Sequence, residues 1–326
     1  MMYTYLGASG MRVSRLCLGT VNFGARTDEK EAHAIMDAAL DHGINFFDTA
    51  NHYPDFVNCG RSEEFIGRWF AQGGGRRERV VMASKVYQPM RDPLDGPNDM
   101  GGFSKYKVMR HIEGTLKRLR TDHIELYQMH HVDRRAVWEE IWETFETLGA
   151  QGKIVYTGSS NFPAWKLAQA QATARARGFI GLVSEQHRYH LLCRLPELEV
   201  LPAARELGIG ILVYWILAGG LLTGKALSPE AGPRASAQTD YVQANRAAFE
   251  AFHTLCEEIG HAPANVAVAW GLANPAVSSV VIGPRTKKQL DGLVKAVEIN
   301  LSEETTRRLD EIFPGPGGPA PEAYAW

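Results

Sequence analysis

Four residues of types that hold or move protons stand at the ends of short apolar runs. Asp48 follows residues 44–47, Lys85 follows 80–84, His130 follows 124–129, and Tyr53 lies in the stretch after Asp48. A carboxylate, an ammonium, an imidazole and a phenol can together transfer a proton and stabilise charge at one reacting atom, provided the chain brings them within hydrogen-bond reach. Each alone has an ordinary structural reading. Asp48 could cap a turn, Tyr53 could be a half-buried loop aromatic, Lys85 a solvated strand end and His130 a satisfied core histidine. What decides is whether the elements that carry them end at one place.

Short β-like runs alternate along the chain with longer amphipathic segments, as expected of βα units. The runs cover 15–18, 44–47, 80–84, 124–129, 154–157, 182–184, 209–214 and 277–282. After the first, Ala32, Ile35, Met36, Ala39 and Leu40 recur with helical spacing between Asp28 and Gly43, and similar helices fit 107–119, 137–151, 165–177, 243–259 and 287–299. Residues 1–11 read as a short hairpin ahead of these units. The pattern predicts an α/β fold, a (β/α)8 TIM barrel with a short N-terminal hairpin and long βα loops. In that architecture functional residues gather at the strand C-termini, so all four candidates face one cavity. Their shared placement outweighs the separate structural readings.

The 326 residues, 45% of them hydrophobic, suffice for one large core, and a single domain over 1–326 is expected. Lysine and arginine total 35 against 37 acidic residues, which gives no charge excess to favour nucleic acid or an anionic membrane. A small molecule is the expected partner. Cys17, Cys59, Cys193 and Cys256 form no C-x-x-C pair, and the N-terminus shows no basic region followed by an apolar stretch. With no apolar run long enough to span a bilayer, the expected location is a reducing cytoplasm.

The segments GINFFDTANHY, ASKV, ELYQMHHVD, GKIVYTGSSNF and YWILAGGLLTGK, in that order, resemble the successive signatures of the aldo-keto reductase superfamily. The resemblance extends from about residue 16 to about residue 289 and implies a carbonyl-reducing enzyme with Asp48, Tyr53, Lys85 and His130 as its catalytic tetrad. His131 lies outside the tetrad. Hydride reaching a carbonyl carbon leaves charge on oxygen, and a nearby acid must meet it. In this reading Tyr53 donates the proton, Lys85 lowers its pKa, Asp48 holds the lysine, and His130 orients the carbonyl. Barrels resembling this one also serve as channel-associated subunits that retain nicotinamide cofactor but turn over slowly, which is the alternative function.

The resemblance further implies NADP(H), although no G-x-G-x-x-G joins a strand to a helix. The cofactor would lie across the barrel mouth, near Gly19 and Thr20. Ser159, Asn161 and Gln186 would hold the carboxamide and Tyr214 would stack on the nicotinamide. Leu217, Gly219, Gly220 and Lys225 would wrap the pyrophosphate, with Arg234 beyond them. Gly283, Arg285 and Gln289 belong to the adenosine end, where the planar fork of Arg285 suits a 2′-phosphate. Residues 219–225 also come close to a P-loop, but Ala226 stands where Ser or Thr would hold magnesium. His187, His190 and Cys193 lack a fourth ligand of suitable spacing, and no metal is expected.

Several positions depart from the family pattern. His190 follows Tyr189 where asparagine is common, and Trp215, Ile216 and Leu217 replace a frequent Ser-Pro-Leu. Residues 54–60 and 86–106 form long loops over the mouth and are expected to set substrate preference. At the adenine end Gly292 and Leu293 occupy positions often filled by an acidic residue and asparagine, which predicts a loose grip on the cofactor. The Gly- and Pro-rich tail 313–326 is read as flexible, with Tyr324 and Trp326 available to a pocket or a neighbouring subunit.

Overall fold

A computed structural model describes residues 1–228 and 237–320. Two short strands, β1 (Tyr3–Tyr5) and β2 (Arg12–Ser14), pair antiparallel. Then come β3 (Leu16–Gly19), β4 (Phe46–Asp48), β5 (Val81–Val86), β6 (Ile124–Met129), β7 (Ile154–Ser160), β8 (Leu182–Arg188), β9 (Gly210–Tyr214) and β10 (Val277–Ile282). These eight close into a parallel barrel in the order β10-β3-β4-β5-β6-β7-β8-β9. The expected fold is therefore observed, with a difference at the rims. β7 and β8 run past 157 and 184, because their last residues are mostly polar and apolar patterning stops short of them.

Side chains alternate across each strand. One set fills the barrel, where Cys17, Phe46, Ala83, Leu126, Val183 and Leu212 pack with Leu6 and Val13 from the hairpin. The hairpin turn closes the N-terminal end of the barrel. Gly7 sits there at φ 55°, and an added Cβ would lie 2.4 Å from the Val183 carbonyl oxygen. The opposite end stays open for the βα loops.

The outward set packs beneath α1 (Glu29–Asp41), α2 (Arg61–Phe70), α3 (Lys105–Leu119), α4 (Trp138–Ala150), α5 (Ala164–Ala176), α6 (Val200–Glu206) and the later helices. Asp28 caps α1 by accepting the Glu31 amide at 2.9 Å, and Gly43 at φ 80° follows its end. The helix expected over 243–259 is divided at Asn245 into Thr239–Ala244 and Arg246–Glu258. The one expected over 287–299 tightens to 3-10 geometry at Val294–Glu298.

Helices α2, α6, Pro263–Ala273 and Glu303–Ile312 were not foreseen. Every residue from 265 through 272 of Pro263–Ala273 is buried, so that helix shows no apolar stripe. In α2 the signal was present, as Phe65, Ile66, Trp69 and Phe70 mark one helical face. No helix among the described residues is long and apolar enough to cross a membrane. Arg234, Tyr324 and Trp326 lie outside the described residues.

Candidate active site

Asp48 closes β4 and Lys85 lies next to last in β5, on the inward face two residues above Ala83. Lys85 is fully buried. Its Nζ donates to Asp48 Oδ2 at 2.5 Å, to the Thr49 carbonyl at 2.9 Å and to the Tyr53 hydroxyl at 3.5 Å. An ammonium has three protons, and here each has an acceptor. The other Asp48 oxygen, Oδ1, accepts Gln128 Nε2 and Gln186 Nε2, both at 2.9 Å. Thus the carboxylate is held from three strands besides its own.

Tyr53 lies in the turn after β4, half-buried, with His130 against its ring at 5.9 Å between centroids. His130 follows β6 directly, and its amide donates to the Val86 carbonyl at 3.0 Å. All four tetrad candidates therefore meet at one rim. The expected lowering of the Tyr53 pKa by Lys85 is present but outweighed: burial raises the phenol above its ordinary value, with Lys85 pulling down and Asp48 pushing up. Tyr53 is a protonated phenol near neutrality. For Lys85, burial acts to lower the pKa, yet Asp48 and Tyr53 together raise it, so the ammonium keeps its charge.

His130 is held well below the ordinary histidine range by burial and by Lys85, His52 and His131. It is neutral at pH 7, and its Nδ1 is buried without a partner. His131 stacks on it at 4.8 Å, and His52 approaches within 5.1 Å between ring centroids. His52 also stacks on Phe56, and burial, with Lys85 and His131, lowers its pKa to about 4. The long loop after β5 is tied to α3. Asp95 bonds His111 and Arg110, and Lys107 Nζ caps the carbonyls of Tyr87 and Met100.

The expected cofactor residues divide into groups. Ser159 points away from the mouth: its hydroxyl donates to Glu185 Oε2 at 2.5 Å, and it is fully buried. Alternation puts Ser160 on the inward face with Gly158, and Ser160 Oγ accepts Asn161 Nδ2 at 3.0 Å. The serine on the inward face is thus Ser160, where Ser159 was expected. Asn161 also donates to the His130 carbonyl at 3.1 Å and accepts the Tyr214 hydroxyl at 2.8 Å. Thr20 is fully buried, and its hydroxyl donates to the Asp48 carbonyl at 3.0 Å, which braces the turn after β4. Gly19 is required by packing, since a Cβ there would meet Val281 at 2.6 Å.

Leu217 accepts the Gly220 amide in a turn where Gly219 and Gly220 have φ of 70° and 107°. Lys225 is exposed beyond it. At the other loop Asn22 Nδ2 donates to the Gly283 carbonyl at 2.9 Å, while Asn22 Oδ1 is buried without a partner. Gln289 accepts the Arg285 amide at 2.8 Å, and the exposed Arg285 guanidinium has no ion pair among the described residues. Lys287 is paired with Asp291, which also bonds His42. Leu293 is buried in the core, so it cannot stand in for an adenine ligand.

Sequence reasoning missed Gln128, which alternation two residues before His130 could have revealed, and His52, adjacent to Tyr53. His187 is bonded to Glu185 at 2.9 Å and His190 to Arg188 at 3.2 Å.

A family model described as "Aldo/keto reductase family" matches residues 15–313. "Uncharacterized oxidoreductase YrpG" of Bacillus subtilis (strain 168) is 61% identical over 326 residues, covering 100% of both chains. "Probable voltage-gated potassium channel subunit beta" of Oryza sativa subsp. japonica is 33% identical over 96% of each chain. "Versiconal hemiacetal acetate reductase" of Aspergillus parasiticus is 27% identical over 96% of this chain and 97% of its own. On the extent of the family match and the full-length relative, this chain belongs to the aldo/keto reductase family.

Proposed function

We propose that the protein is a cytoplasmic, single-domain NADPH-dependent reductase of aldehydes or ketones, with Tyr53 as general acid. The observation that carries this reading is the three-way hydrogen bonding of Lys85 Nζ. Because the lysine donates to the Tyr53 oxygen, the phenol proton is left free to point at a substrate oxygen. When the phenol gives up that proton, the ammonium beside it stabilises the phenolate. Asp48 keeps the lysine charged, and Gln128 and Gln186 keep Asp48 in place.

His130 contributes a neutral N–H. With Nδ1 buried and without an acceptor, the proton belongs on Nε2, since an orphaned N–H costs more than an orphaned lone pair. Nε2–H can then hydrogen-bond the same carbonyl oxygen.

The residues present fit a nicotinamide dinucleotide. Ser160, Asn161 and Gln186 supply the polar groups for a carboxamide and Tyr214 an aromatic wall, while the side chain of Asn22, with its buried, unpartnered Oδ1, is bonded to Gly283 in the loop expected at the adenosine end. Gly219 to Lys225 and Arg285 would hold the phosphates. When bound, NADPH supplies the hydride. Steady oxidation of NADPH across an aldehyde and ketone panel, lost in Tyr53→Phe, is the test.

A second reading as a slow, cofactor-retaining regulatory subunit draws support from the similarity to a protein named as a channel β subunit. Bound cofactor with no substrate-dependent turnover across the same panel would favour it.

A further inference from the structure

Arg188 ends β8 on the same face as Gln186, two residues earlier. Gln186 reaches Asp48 inside the barrel, so the Arg188 side chain stands roughly 7 Å higher, at the rim. Its strand partner is Tyr214, whose phenol is pushed up by burial while Arg188 pulls it down. The guanidinium carbon lies 4.4 Å from the centroid of the Trp215 ring, and Nε donates to His190 Nε2 at 3.2 Å. Two of the departures from the family pattern, Trp215 and His190, thus hold one arginine.

The hold is specific. Trp215 adopts φ 62°, a conformation that costs a non-glycine residue energy, and its carbonyl accepts the Ala218 amide at 2.7 Å. Its indole is 40% exposed and forms the surface on which the guanidinium rests. His190 is kept neutral, its pKa lowered to about 4 by burial and then by Arg188 itself. Among the described residues no carboxylate pairs with Arg188. With its face on the indole and Nε on the imidazole, the two terminal nitrogens are left as a planar fork beside the mouth.

We propose that Arg188 is an anion subsite of the substrate pocket, selecting carbonyl compounds that bear a carboxylate at the end remote from the reacting carbonyl. This rests on the reductase reading above. Anchored on the opposite side of the mouth from Tyr53, the carboxylate would orient the carbonyl towards Tyr53 and His130. The cofactor phosphates are the competing source of negative charge.

The test compares 4-carboxybenzaldehyde with its methyl ester, which keeps the shape and removes the charge. Wild type should show kcat/KM for the acid at least about tenfold above the ester, and Arg188→Gln should bring the ratio close to one. A wild-type ratio near one, or a ratio unaltered in Arg188→Gln, overturns the proposal. So does a loss of NADPH affinity in the variant as large as the loss for the acid, which would assign Arg188 to a cofactor phosphate. Calorimetric titration with 4-(hydroxymethyl)benzoate in the presence of NADP⁺ separates this inference from the reductase reading. If neither aldehyde is turned over, binding that is abolished in Arg188→Gln still supports the anion subsite, and equal or absent binding in both proteins refutes it.

Discussion

Gln186 on β8 donates to Asp48 on β4 at 2.9 Å, although four places separate the two strands around the closed barrel. The side chains of Gln186 and Asp48 therefore bridge the barrel directly beneath the mouth. Gln186 was expected to serve the cofactor carboxamide, yet its amide nitrogen is committed to the acid that holds Lys85. Gln128 makes the same bond from β6, so the Asp48 carboxylate is fixed in position.

Tyr53→Phe and Lys85→Met should fail in different ways. Removing the hydroxyl takes away the acid but leaves the buried Lys85–Asp48 pair, so turnover should fall at least tenfold, about 1.4 kcal/mol or more, while NADPH affinity holds. Lys85→Met leaves Asp48 buried without its cation, which costs about 3 to 5 kcal/mol of stability. Single-turnover rates and urea denaturation distinguish the two. A Tyr53→Phe variant that keeps more than a tenth of wild-type turnover when chemistry is rate-limiting would remove Tyr53 as the acid.

Arg285 offers an exposed guanidinium next to the loop that Asn22 ties to Gly283. Charge-assisted hydrogen bonds to a 2′-phosphate contribute roughly 1.5 to 3 kcal/mol, so Arg285→Ala should weaken NADPH about tenfold or more and NADH far less. Fluorescence titration of both cofactors against both proteins decides. Equal weakening would show that the arginine does not read the phosphate.

The cluster was legible because strand ends and chemistry-bearing residue types coincide at Asp48, Lys85 and His130. The barrel was legible because the lower halves of its strands are apolar. Their upper halves are not, so apolar patterning ends short of the rim, and the resemblance implied Ser159 where the inward face presents Ser160. Gln128 and Gln186 hold Asp48 from distant strands, a relation that only closure of the barrel creates. Trp215 was recognisable as a departure, but its left-handed backbone and its contact with Arg188 depend on a turn that neighbouring residues impose.

Stability should fall as pH drops from about 6.5 towards 4. His52 and His190 are both lowered to about 4 by burial, whereas the unfolded chain takes up these protons near the ordinary value. Below that value the unfolded state binds more protons than the folded one, so their contribution, roughly 3 kcal/mol each at most, is present at pH 7 and lost on acidification. Urea denaturation at pH 7 and pH 4.5 measures the loss. His190→Asn should make the slope over this interval shallower, and an equal slope in wild type and variant would show that His190 is not buried in its neutral form.

At the adenine end the structure separates two substitutions that the sequence suggested making together. Gly292 is exposed, and a Cβ there meets nothing within 4 Å. Leu293 is buried in the core, only 8% exposed. Gly292→Glu alone should therefore stabilise the cofactor-free protein by roughly 0.5 to 1 kcal/mol, because it replaces a helical glycine whose unfolded state is the more flexible. Adding Leu293→Asn should reverse this. Truncating a buried leucine costs roughly 2 to 5 kcal/mol, and the new amide would be left without partners. Any tightening of NADPH must then come from the carboxylate that Gly292→Glu introduces, since Asp291 is engaged by Lys287 and His42. Thermal unfolding without ligand and fluorescence titration with NADPH read the two effects separately. If the single variant gains stability and its dissociation constant stays at the wild-type value, adenine does not reach this helix. A double variant as stable as the single one would show that Leu293 contributes nothing to the core.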